Sequence, residues 1–294
     1  MILALIPSAD VSDELWTTAC RKHLATDHSL EEFERSGVLM VRSALDPDLL
    51  SALRSAAEAL DTEFRNGPDS GPHHVLNRHD LFGLGAPFDM LVDMPTVLPT
   101  VWAVLGWNIA CYHTQLVVTP PAPTGAGGGA YGWHQDNNRM NVDLGVPPPQ
   151  PRISLKVGYL LSDLPDPGMG NLSVVPGSHE RGRPSVALTE QPDGAVEICG
   201  RAGDAVVFDR RTWHAASTNN SEVTRVMVFV GYAYRWVQPK SAMNVHPGVD
   251  ISSAVRRQLL GESTSANGRY DPTDHDVPLR AWIAEHVGAA AVAP

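Results

Sequence analysis

Apolar residues recur at helical spacing through the first hundred positions and in short strand-like runs after that. The early spacing predicts helices over Asp13–Thr26, Leu30–Ser36 and Pro47–Phe64. In DPDLLSALRSAAEALDTEF, Asp46 stands where an N-cap belongs, and Leu49, Leu50, Leu53, Ala57 and Leu60 share one face. A further helix is expected over 95–105, interrupted by Pro99. From residue 109 the runs IACYHTQLVV, ISLKVGYLL, LSVVP, AVEIC, AVVFD and TRVMVFVGYAY are separated by Gly, Pro, Asn and Asp. They read as strands of a sandwich, barrel or jelly roll, because the segments between them are too short for repeated βαβ crossovers. The expected fold is mainly β with flanking helices. Helical N-terminal support covers about 1–108, a β core about 109–236, and a C-terminal extension about 237–294 that ends in a loose alanine-rich tail.

Composition narrows the function classes. With 294 residues, 43% of them hydrophobic, and no linker-like stretch, the chain reads as one domain with a substantial core. A formal charge of −11 argues against a nucleic-acid partner, whose phosphates need Lys and Arg. The excess is uneven: residues 131–240 carry 11 basic and 11 acidic side chains, so the middle of the chain can accept a small anion. Three separated cysteines give neither a disulfide framework nor a zinc-thiolate pattern and fit a reducing interior. MILALIP lacks a basic flank and is short for a signal core, and no run is long enough to span a bilayer. A cytoplasmic protein with a small-molecule partner and no membrane partner is expected, its oligomeric state left open.

Candidate chemistry centres on YGWHQDNNRM, residues 131–140. On a strand, His134 and Asp136 project to one face and converge on one point. A third ligand lies in RAGDAVVFDRRTWHAASTNNSEVTR, where Gly203–Asp204 turns, Ala205–Phe208 forms a strand and His214 opens the next. Two imidazoles and one carboxylate, with other positions open, suit non-haem Fe(II) oxygen chemistry. Arg225 lies on the apolar strand TRVMVFV, where a buried guanidinium needs an anionic partner such as a bound dicarboxylate. The residues alone leave two rivals: a Zn(II) hydrolase or isomerase using the same triad, and a non-catalytic binding module. His179, in the turn of VVPGSHERG, reads as structural. Tyr131, Trp133, Asn137, Asn138, Arg139 and Trp213 border the ligands and are candidate substrate contacts.

The segments FERSGVLMVRSALDPDLLSAL, HTQLVVTPP, WHQD, GNLSVVPGSHERG and GDAVVFDRRTWHAASTNNS, with Arg225, resemble the phytanoyl-CoA dioxygenase-like Fe(II)/2-oxoglutarate oxygenases over most of 30–236. The resemblance implies a double-stranded β-helix, the cupin-like jelly roll, with Fe(II) on His134, Asp136 and His214. It implies that Arg225 binds the distal carboxylate of 2-oxoglutarate, and that Gln115, Tyr159 and either Asn77 or Arg78 are further cosubstrate contacts. Ala216 replaces a Ser common in the family, and Ser217, one residue on, would face the other way on a strand. The implied reaction consumes O2 and 2-oxoglutarate, releases succinate and CO2, and oxidises a C–H bond. Asp136 is inconsistent with a halogenase, which vacates the carboxylate position. The family name points to acyl-CoA substrates, whose phosphates Arg181 and Arg183 could grip. No basic cluster or peroxisomal address accompanies them, and the loops at 120–131 and 144–152 favour a specialised metabolite.

Overall fold

A computed structural model describes residues 9–68, 70–123, 132–136, 138–181, 187, 189–248 and 251–292. In chain order the described strands are β1 (Val38–Val41), β2 (Leu76–His79), β3 (Ile109–Thr119), β4 (Ser154–Leu160), β5 (Leu172–Val174), β6 (Val196–Glu197), β7 (Ala205–Asp209), β8 (His214–Ala216) and β9 (Arg225–Tyr234). Six of them build an antiparallel sheet in the order β1-β7-β4-β9-β3-β2, and the other three a small sheet, β6-β5-β8. This is the two-sheet arrangement of a jelly roll, as the strand pattern predicts.

The period of two along each central strand decides what lies on either side of the large sheet. Leu155, Val157, Tyr159, Ala205, Val207, Val228, Val230 and Tyr232 share one core with the helices. Leu160, Val206, Phe208, Met227 and Phe229 point the other way and pack on Leu172 and Val174 of the small sheet. Strands β4 and β9 read as almost unbroken apolar runs because both faces are covered.

Helices α1 (Ala9–Lys22), α2 (Asp27–Ser36), α3 (Pro47–Arg65), α4 (Ala86–Asp89) and α5 (Leu98–Leu105) precede the core. Asp46 caps α3, accepting from the backbone N–H groups of Asp48 and Leu49. Helix α2 begins earlier than its apolar spacing shows, because Thr26 and Ser29 form a capping box. Pro99 does not interrupt α5. It sits in the first turn, where a missing N–H costs nothing.

Gly37 ends α2 at φ +76°. A Cβ there would overlap Thr212 Oγ1 and His179 Nδ1, so glycine lets α2 press against the segment that precedes β8. His179 is fully buried and its Nε2 lies 2.9 Å from the Glu34 carbonyl, bracing the turn after β5 against α2.

The C-terminal region departs from expectation. Beyond α6 (Asn138–Leu144), α7 (Ala254–Leu259) and α8 (Pro278–His286) bury Val255, Leu259, Leu279 and Ile283 in the large core. The alanine-rich stretch is a 3-10 turn at Ala289–Val292, with Val292 packed against that core, and not a loose tail. Among the described residues no single helix is long and apolar enough to cross a membrane.

Candidate metal and cosubstrate site

His134 and Asp136 reach a common point without the strand that the spacing suggested. His134 forms an isolated antiparallel bridge with His214, each N–H donating to the other's carbonyl at 3.0 Å, and Asp136 lies in the turn that follows. The Asp136 N–H donates to the Arg210 carbonyl at 2.9 Å. Gln135, between the two, donates its side-chain amide to the Arg211 carbonyl and accepts from Asn141 Nδ2 on α6. The loop before β8 is itself fixed by Asp209, which accepts from Arg152 Nε at 2.6 Å and from Arg211 Nη2 at 2.7 Å. Gln135 and Asp209 therefore set the relative position of the proximal and distal segments, a role the sequence did not reveal.

Ligand atoms of His134, Asp136 and His214 all lie within 4.8 Å of one another. The Thr212 carbonyl is 2.8 Å from His214 Nδ1 and the Gly132 carbonyl 2.8 Å from His134 Nδ1. A carbonyl only accepts, so in each neutral ring Nδ1 carries the proton and Nε2 keeps a lone pair. Burial pushes the His214 imidazole down to about 4, against the opposing pull of Asp136. Burial alone would raise the Asp136 carboxyl, but Lys156, His214 and His134 hold it well below the usual carboxylate range. At neutral pH the site thus offers a neutral His214 and an ionised Asp136. This donor set fits a divalent iron with open positions, the function the resemblance gives it.

A cavity of about 500 Å³ opens beside the triad. His134, His214, Lys156, Asn77, Gln115, Thr119, Phe229 and Arg225 line it, and no carboxylate does among its described walls. Arg225 opens β9 at 2% exposure, and among the described residues its terminal nitrogens have Thr119 Oγ1 at 3.4 Å and Met227 Sδ at 2.8 Å as hydrogen-bond partners. Burial lowers its guanidinium to about 10, still a cation at neutral pH, and no anion among the described residues balances it.

The other candidates divide. Gln115 and Asn77 reach the cavity on neighbouring strands, joined by a 2.8 Å hydrogen bond from Gln115 Nε2 to Asn77 Oδ1. Arg78, one residue on, projects from the opposite face of β2 to a separate cleft against α3. Tyr159 is not brought to the site: it is fully buried in the core beneath the helices. Lys156 and Gly158 occupy the cavity face of the same strand. Trp133 and Trp213 pack with Val175 and Ala215 in a small core and do not line the cavity. Arg139 points to solvent, paired with Asp143 on α6 at 2.7 Å. Tyr131 and Asn137 lie outside the described residues, as does Arg183, and the side chain of Asn138 is likewise not described. Arg181 donates to the Gly177 and Pro176 carbonyls away from the cavity. Ser217 donates to Glu197 at 2.9 Å, and Ala216 offers no hydroxyl. Thr119 and Lys156 are cavity residues that sequence reasoning passed over. For Lys156 the signal was available, a lone cation inside the apolar run ISLKVGYLL.

Residues 33–227 match the family model of phytanoyl-CoA dioxygenase (PhyH). The chain belongs to that family. An ectoine dioxygenase of Nocardia farcinica is 26% identical to this PhyH-family chain over 233 residues, 68% of the chain and 75% of the relative. Among solved structures, the non-haem α-ketoglutarate-dependent carbocyclase SnoK from nogalamycin biosynthesis superposes with a TM-score of 0.58 at 22% identity. The match covers 74% of this chain and 88% of SnoK. HygX from Streptomyces hygroscopicus, with nickel, 2-oxoglutarate and hygromycin B bound, gives a TM-score of 0.57 at 17% identity over 73% of this chain and 89% of its own. These place the PhyH protein among jelly-roll oxygenases, and its class is that of an iron- and 2-oxoglutarate-dependent dioxygenase.

Proposed function

We propose that His134, Asp136 and His214 hold Fe(II), that Arg225 binds the distal carboxylate of 2-oxoglutarate, and that the substrate is a specialised metabolite of small or medium size. One observation carries the reading: the triad's donor atoms lie within 4.8 Å of one another, and two of its members, His134 and His214, line a cavity with a buried arginine that has no anionic partner among the described residues. Bound iron supplies the redox centre at which O2 and 2-oxoglutarate become succinate, CO2 and oxidising power for a C–H bond. The protein's own residues do the positioning. The carbonyls of Gly132 and Thr212 fix both imidazole tautomers, and Arg225 with Thr119 offers charged and neutral donors to a carboxylate. Gln115 and Asn77 present amides along the adjacent wall.

The cavity's mixed polar and apolar lining, with Pro120, Ala122 and Pro123 at its edge, supports an organic substrate of modest size. SnoK belongs to nogalamycin biosynthesis and HygX binds hygromycin B, which is consistent with this class. The test is to incubate the iron-loaded protein aerobically with 2-oxoglutarate and either long-chain acyl-CoAs or a panel of polycyclic, sugar-based and peptide-derived metabolites. Succinate formed in step with an oxidised product is expected from the second panel. Coupled oxidation confined to acyl-CoAs would overturn the substrate class.

A further inference from the structure

We propose that Lys156 is a second cosubstrate anchor, binding the carboxylate at the 2-oxo-acid end of 2-oxoglutarate while Arg225 holds the far end. The inference rests on the site reading above and adds a residue to it. Lys156 lies in the middle of β4, all seven residues of which are buried, at 8% exposure. A lysine there costs several kcal/mol of desolvation unless it is paired. Its Nζ stands 3.0 Å from both Oδ1 and Oδ2 of Asp136. That pairing alone makes a poor reason for the residue, because Asp136 belongs to the metal triad and a fixed cation beside it repels a divalent ion. Lys156, Arg225 and a bound divalent cation together outweigh the single carboxylate of the triad. A dianionic ligand removes most of that excess, and an ammonium has three donors, of which one is hydrogen-bonded to Asp136, at Oδ1.

Placement points to the same ligand. Phe229 stands between the two cations, its ring 5.7 Å from Lys156 Nζ and 6.0 Å from Arg225 Cζ. Opposite Phe229 on the neighbouring strand is Gly158, where a Cβ would come within 2.8 Å of the ring and 2.9 Å of Met227 Cε. The glycine lets the ring lie low against the sheet, giving an apolar floor with a cation at each end. Lys156 is at the metal end, since it touches Asp136. A short dicarboxylate with a chelating 2-oxo acid at one terminus matches that order of charge, floor and charge.

The experiment uses the full chain, saturated anaerobically with Fe(II), and follows the visible charge-transfer band that a chelated 2-oxo acid produces. Two ligands are titrated: 2-oxoglutarate, and 2-oxopentanoate, which keeps the 2-oxo acid but lacks the distal carboxylate. Lys156→Met should weaken both by about tenfold or more, because it removes a charge-assisted hydrogen bond that both ligands share. Lys156→Gln should fall between it and wild type, and serves as the reading if the Met variant does not fold. Arg225→Met should weaken 2-oxoglutarate only. Wild-type affinity for both ligands in the Lys156 variants would overturn the proposal and leave the lysine serving Asp136 alone. Weaker binding of 2-oxoglutarate with 2-oxopentanoate unchanged would also overturn it, by moving the lysine to the other end. If wild type showed no band with either ligand, the oxygenase reading of the site would fail instead.

Discussion

At the scale of single residues the site is governed by which charges are buried and what answers them. His134→Ala, Asp136→Ala and His214→Ala are each expected to weaken Fe(II) binding by at least about a hundredfold, beyond the effect of removing a group that only supports a ligand, while the protein stays folded. Anaerobic metal titration with a circular-dichroism control checks this, and near wild-type affinity in any one variant would remove that residue from the triad. Arg225→Ala should raise the 2-oxoglutarate concentration needed for half-maximal succinate formation by about thirtyfold or more, with iron affinity nearly unchanged. A parallel weakening of both would instead mean that Arg225 supports the metal. Part of this site is legible in the sequence on the same physical grounds. A buried arginine in an apolar strand exposed its need for an anion. The identical argument applied to Lys156 in ISLKVGYLL points to a buried cation with a partner, whereas family position drew attention to Tyr159. Counting along the strand separates them, because three residues apart means opposite faces.

At the scale of elements, apolar patterning revealed whatever the core itself demands. Strands β4, β7 and β9 and helix α3 appear where their apolar residues put them. Elements held by other means were hidden. Strand β2 is short and largely exposed, and owes its form to pairing with β3. The approach of His134 to Asp136 depends on one bridge, one turn and the Gln135 amide, none of which carries a periodic signal. Gly37 tests this layer. Gly37→Ala forces a side chain into a left-handed conformation and against Thr212, two residues before His214. A loss of about 2 kcal/mol or more in denaturant unfolding is expected, with weaker iron binding in the variant that remains folded. Stability within about 0.5 kcal/mol of wild type would show that the packing of α2 on the distal segment is dispensable.

At the scale of the whole molecule, a large sheet keeps one face for a helix-covered core and gives the other to an apolar layer and a cavity of mixed lining that holds two buried cations, Lys156 and Arg225. One cost of that arrangement is acid sensitivity. His113 on β3 is buried, and burial first, then Lys156, brings its imidazole down to about 4 from 6.5. The folded protein holds it neutral while the unfolded chain takes up a proton, so stability is lost as the pH falls from about 6.5 toward 4. Between pH 7 and pH 5 the metal-free wild type should lose about 2 kcal/mol more than His113→Gln, by linkage over that shift. Equal losses in urea unfolding would place the acid sensitivity elsewhere.

The reading of triad and arginine as one iron and 2-oxoglutarate site is tested most directly by an anaerobic visible spectrum. Fe(II) is added to the metal-free protein, and then 2-oxoglutarate. A weak charge-transfer band is expected only when both are present. It should be absent in Asp136→Ala and should need more 2-oxoglutarate to develop in Arg225→Ala. A folded wild-type protein that shows no band at saturating Fe(II) and 2-oxoglutarate would contradict the assignment.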